Sequence, residues 1–164
     1  QNIIQYDDQD LELVKKEAAS RVSYKGGWLL RYAEDSQTQV SVVEVGILGE
    51  MAYAFHYGIP RDRRVLPNGI GDGGVDLFLD GLKIDVKATD RDTGNLLLKK
   101  RPNGSDYLAL AIIDKDKCTV RLTGMVSSVK FIETCKTQDF GHGETFFIEQ
   151  GNLDQILPSQ GRLF

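Results

Sequence analysis

Between residues 75 and 89 the chain reads VDLFLDGLKIDVKAT. Two β-rich runs, Val75–Leu79 and Leu82–Thr89, flank Asp80-Gly81, a dipeptide suited to a type I′ turn because both central residues there take positive φ. The expected element is an antiparallel hairpin. A two-residue turn sets its register, placing Leu79 opposite Leu82, Phe78 opposite Lys83, Leu77 opposite Ile84 and Asp76 opposite Asp85. Alternation then sorts the faces. Leu77, Leu79, Leu82, Ile84 and Val86 form an apolar face that must meet a core, while Asp76, Phe78, Lys83, Asp85 and Lys87 share the other.

Working outward, Asp10–Val22 has Leu11, Val14, Ala18 and Val22 at helical spacing, which predicts an amphipathic helix. Ser41–Tyr57 is apolar nearly all round and predicts a helix buried on more than one side, with Gly46 and Gly49 allowing a neighbour's backbone to approach. Tyr53, Phe55 and Tyr57 are expected in the core, His56 as a packed or surface residue, and Glu50 is the conspicuous acid. Downstream, Asn95–Lys100, Tyr107–Asp114 and Cys118–Met125 predict strands. Val126–Cys135 predicts a helix, Glu144–Gln150 a short strand and Leu153–Leu157 a last helical turn. With no repeat and no linker, residues 1–164 read as one α/β domain, with its core over about 41–157 and a mixed β-sheet flanked by helices.

The hairpin places two carboxylates face to face, Cβ atoms ~5 Å apart, where like charges destabilise a sheet unless a cation stands between them. Hard oxygen ligands at that spacing suit Mg²⁺ or Mn²⁺. Lys87, two residues beyond Asp85 on the same face, could orient an attacking water. The plain alternative is a solvated face on which Lys83 and Lys87 neutralise the aspartates. Asp76 followed by Asp85-Val86-Lys87 resembles the D…(D/E)-x-K signature of the PD-(D/E)XK, or restriction-endonuclease-like, nuclease superfamily. Glu50, within GILGEMAYAFHYG, resembles the acid that many members carry on the helix before the hairpin. TVRLTGMVSSVKFIE and DFGHGETFFI are similar to later segments of small viral and prophage members. The sequence departs from the pattern at Gly74-Val75, where a proline usually precedes the aspartate, and at Asp85, where Glu is commoner.

That resemblance implies a restriction-endonuclease-like fold and metal-dependent phosphodiester hydrolysis. Asp76, Asp85 and the Val86 backbone carbonyl would hold the metal, Glu50 would bind through water or a second metal, and Lys87 would position the water. Arg61, Arg63, Arg64, Arg91, Lys99, Lys100 and Arg101 flank the hairpin and are the expected phosphate contacts. Gly69–Gly74 formally matches G-x-G-x-x-G but precedes a strand and opens no helix, so it reads as a loop in which Asp72 makes a turn or reaches a second cation. His142 has no evident partner. No serine-hydrolase, Walker or zinc motif is present.

Composition agrees with a single globular domain: 41% hydrophobic, 27% charged, and a formal net charge of −4. The acid excess argues against nucleic acid only while charge is summed. Residues 61–101 hold nine basic side chains against seven acidic ones, and three of the chain's acids are proposed ligands. Cys118 and Cys135 are too few for a disulfide framework and read as free thiols. The opening QNIIQYDDQDLEL lacks a signal-peptide pattern and no window is apolar enough for a membrane span, so the expected place is a cytoplasm, the host's if the chain is phage-encoded. Gln1 reads as a processing boundary. The expected function is a metal-dependent DNA endonuclease in phage replication, recombination or repair, structure-selective for a junction, flap or single strand and possible as a homodimer. A sequence-specific restriction enzyme, an RNA endonuclease using the same site, and a non-catalytic nucleic-acid-binding domain are the alternatives.

Overall fold

The computed structural model describes residues 2–25, 36–61, 75–102, 104–141 and 143–159. Arg63, Arg64, Asp72 and His142 lie outside them. The elements run β1 (Asn2–Gln5), α1 (Asp8–Lys25), α2 (Ser36–Tyr57), β2 (Leu77–Leu79), β3 (Leu82–Thr89), β4 (Leu96–Leu98), β5 (Tyr107–Asp114), β6 (Thr119–Ser127), α3 (Ser128–Thr134), β7 (Lys136–Asp139) and β8 (Glu144–Ile148), followed by a 3₁₀ turn at Gln150–Asn152. The architecture is mixed α/β. A five-stranded sheet in the order β1-β6-β5-β3-β2 stands beside a three-stranded sheet in the order β4-β8-β7. Among the described residues, every strand pairing is antiparallel except β3 with β5.

The hairpin forms as its turn chemistry demands. Asp80 and Gly81 both take positive φ, 49° and 83°, and the ladder pairs Leu77, Phe78 and Leu79 with Ile84, Lys83 and Leu82. Helix α1 starts earlier than its apolar spacing suggests, because Asp7 and Asp10 cap it reciprocally: each backbone N–H donates to the other's carboxylate, at 3.0 and 2.8 Å. Helix α3 begins where the Ser127 hydroxyl accepts the Lys130 N–H at 3.1 Å.

Both faces of the five-stranded sheet are covered. On one, α1 and α2 bury Val14, Ala18, Ile47 and Tyr53 against Leu77, Ile84, Val86 and Ala111. On the other, Leu108, Leu110 and Ile112 meet Leu96, Leu98 and Ile148 from the smaller sheet and Phe131 from α3. This double burial explains the unbroken apolar run of β5. Tyr53 reaches through the first layer to donate its hydroxyl to the Leu110 carbonyl at 2.7 Å, beside the β5–β6 register shift.

Several expectations change. Strands β1 and β7 went unread, β7 because all four residues of KTQD are exposed and carry no apolar period. The C-terminal helical turn falls at Gln150–Asn152, while Asp154 bridges to Met125. Phe55 is not core: it is 76% exposed, since two residues along a helix turns it well away from buried Tyr53. Cys118 and Cys135 are free thiols. No helix among the described residues is long and apolar enough to cross a membrane.

Candidate active site

The hairpin's mouth gathers the acids. Asp85 and Lys87 lie on β3 opposite Leu108 and Leu110 of β5, so they share the sheet face turned toward the smaller sheet. The Lys87 Nζ stands 3.0 Å from Asp85 Oδ1. Asp85 is buried and Lys87 partly exposed, so the lysine carries the carboxylate's countercharge outward. Because β2 pairs with β3 only as far as Ile84, the half of β3 bearing Asp85 and Lys87 has only β5 as ladder partner among the described residues.

Asp76 does not simply continue the ladder opposite Asp85. Its N–H donates to the Ile84 carbonyl at 2.9 Å, one residue out of step, and its carboxylate accepts the Val86 N–H at 2.7 Å. This off-step bonding has the character of a bulge, which aims a side chain away from its regular ladder position. Asp76 is thereby fixed on the backbone next to Asp85.

Glu50 approaches from the helical side. Gly49 lets α2 sit close on the sheet: a Cβ there would lie 2.8 Å from the Ala88 Cβ and 3.2 Å from that of Ala111. No such neighbour surrounds Gly46. Glu50 is 6% exposed and carries two guanidiniums, Arg21 at 3.2 Å and Arg61 at 3.5 Å. Both arginines also bind Glu17 of α1, Arg21 at 3.2 Å and Arg61 through two bonds, one of 2.9 Å. Burial pushes the Glu50 carboxyl up, against the pull of Arg21 and Arg61. Burial works the same way on Glu17, but Arg61 and Arg21 outweigh it and hold that carboxyl below its ordinary range. Burial opposes the charge on Arg21, yet Glu50, Glu17 and Asp76 together raise its pKa. Asp76 is therefore within electrostatic reach of the arginine cluster as well as bonded to β3.

Arg61 must be reassigned. Its side chain is 6% exposed and committed to Glu17 and Glu50, so it does not face solvent as a phosphate contact would. A bidentate guanidinium–carboxylate pair is the geometry that makes such burial tolerable. Arg91, Lys99, Lys100 and Arg101 are exposed. Arg101 stands 6.0 Å from the centre of the Phe146 ring, and Lys99 donates to Thr145 Oγ1 at 2.9 Å.

Among the described residues, no group of three or more His, Cys, Asp and Glu side chains stands so as to hold a metal ion. The Glu50 carboxylate is itself taken up by two arginines. Of the other two acids, Asp76 accepts the Val86 N–H and Asp85 pairs with Lys87.

No family model, curated protein or solved structure matches this chain.

Beside Lys87 opens a groove of about 540 Å³, lined among others by Arg91, Lys99, Leu97 and Phe140. Its charged lining residues are all basic. The sequence pointed to Arg91 and Lys99 through their flanking positions. It gave no warning of Glu17 and Arg21, although their spacing of four in α1 is the kind at which helical side chains meet. Leu97 and Phe140 join the groove only through the fold.

Proposed function

We propose that this chain is a divalent-metal-dependent nuclease acting on DNA, with the restriction-endonuclease-like arrangement that its D…D-x-K pattern resembles. The observation carrying the proposal is that Asp85 and Lys87 share one strand face, Lys87 lining a groove whose charged residues are all basic, with Asp76 pinned to the Val86 N–H beside them. Asp76, Asp85 and the Val86 carbonyl would hold Mg²⁺ or Mn²⁺. Such an ion, when bound, supplies Lewis acidity and lowers the pKa of water. Lys87, paired with Asp85, would hold the attacking water or a phosphate oxygen. Arg91 and Lys99 would receive the strand's phosphates, a sequence-independent attraction that weakens with salt. Structure-selective cleavage of a junction, flap or single strand is the preferred mode.

One observation favours a second reading, a nucleic-acid-binding domain without hydrolysis: Glu50 faces two arginines instead of a cation. One assay separates the two. Single-stranded, duplex, flap and four-way-junction DNA, with RNA of matching sequence, are incubated with protein in Mg²⁺, Mn²⁺ or EDTA. The expected result is metal-dependent DNA cleavage that falls by about a hundredfold or more in Asp85→Ala and Lys87→Ala, with both variants folded by circular dichroism. Failure of the wild type to cut any substrate in either metal, with binding intact, establishes the second reading.

A further inference from the structure

The groove beside Lys87 has a composition that a phosphate track alone does not require. With its cations, two partly exposed apolar side chains line the same space: Phe140 is 46% exposed and Leu97 is 42% exposed. Neither is loose. Leu97 is the middle residue of β4, between buried Leu96 and Leu98, and pairs with Phe147 of β8. Phe140 packs edge-on against that same Phe147, ring centres 5.6 Å apart and planes at 75°. The loop around Phe140 is tied by Asp139, whose carboxylate accepts the N–H groups of Gly141 at 2.7 Å and Gly143 at 3.2 Å.

A half-exposed ring held by its neighbour, with Lys87, Arg91 and Lys99 around the same space, matches the chemistry of an unpaired nucleotide: an anionic backbone carrying a flat apolar base. Paired bases stack on each other and cannot offer that face to Phe140, whereas the groove of about 540 Å³ has room for an unpaired base. Acidic peptides would satisfy the cations but leave Phe140 and Leu97 uncovered. We propose that this groove is a binding site for single-stranded DNA, in which a base lies against Phe140 and Leu97 while its phosphates are held by Arg91 and Lys99, delivering the adjoining phosphodiester to Lys87. The last step rests on the nuclease reading; the binding site does not.

The experiment measures binding without hydrolysis. Full-length protein carrying Asp85→Ala is titrated in EDTA against a fluorescent single-stranded DNA, the blunt duplex of the same sequence, the matching RNA, and polyglutamate as competitor. Single-stranded DNA is expected to bind about tenfold more tightly than duplex. A 2-aminopurine placed along the strand should be quenched on binding. Adding Phe140→Ala should remove the quenching and most of the preference while leaving duplex binding within about twofold, and Phe140→Trp should restore both. Equal or tighter binding of duplex, tighter binding of RNA, displacement by polyglutamate, or an unchanged preference in Phe140→Ala overturns the proposal. A wild type that fails to cut DNA in metal while showing this preference would remove the nuclease reading and leave the site standing.

Discussion

Glu17 and Glu50 share two arginines yet respond to acid in opposite directions. The Glu17 carboxyl is held low by Arg61 and Arg21, so its contribution to stability is complete above the ordinary Glu pKa of ~4.3 and disappears as pH falls through the lowered folded value. Glu50 is raised by burial, so the folded state takes its proton first and acidification favours the fold through this residue. Glu17→Gln, which strips Arg61 of its bidentate partner, should cost ~2–3 kcal/mol at pH 7 in urea denaturation. That penalty should shrink toward zero well below pH 4. A penalty equal at both pH values would mean that Glu17 acts through packing alone. The sequence made the shared face of Asp85 and Lys87 legible through a two-residue turn and a period of two, but its expected pairing of Asp76 with Asp85 gives way to bonds from Asp76 to Ile84 and Val86. Arg61 was misread because its partner Glu17 is 44 residues away. No local pattern says whether an arginine will meet a phosphate or a carboxylate that the fold brings to it.

At the level of elements, the contact of α2 with β3 is set by Gly49. Replacing it with alanine improves intrinsic helix propensity by about 1 kcal/mol. The new methyl, however, would meet the Ala88 and Ala111 Cβ atoms at 2.8 and 3.2 Å, in a layer where neither alanine can swing aside. Overpacking should dominate, with Gly49→Ala lowering stability by ~1–3 kcal/mol and Gly46→Ala, which meets nothing within 4 Å, raising it slightly. Thermal melts of the two variants test this; similar shifts for both would mean that α2 does not rest on the sheet at Gly49. The hairpin, β5 and both long helices could be read from the sequence because each has an apolar period or a definite turn. The bulge at Asp76 could not, since it arises from a carboxylate taking a backbone N–H. Nor could the division of the strands into two sheets, which depends on where residues 90–106 cross.

For the whole molecule, net charge was a poor guide. The formal −4 hides a cationic groove and an acid–arginine cluster on opposite sides of one strand. That strand, β3, enters the sheet by the single parallel pairing, with β5, after residues 90–106 have passed through β4 in the other sheet. Antiparallel β5 and β6 need only a four-residue turn, in which the Asp114 carboxylate accepts the N–H groups of Asp116 and Lys117 at 3.1 and 3.0 Å. Closing the longer crossover costs chain entropy before its contacts give any return. Pulse-labelled amide exchange during refolding should therefore protect β5 and β6 first and β3 later, and simultaneous protection of all three would contradict this order. While the chain is still assembling, the strand bearing Asp85 and Lys87 belongs to no completed sheet, so a divalent ion present from the start meets scattered carboxylates. The proposed metal site would then be acquired late in folding, as a property of the finished sheet.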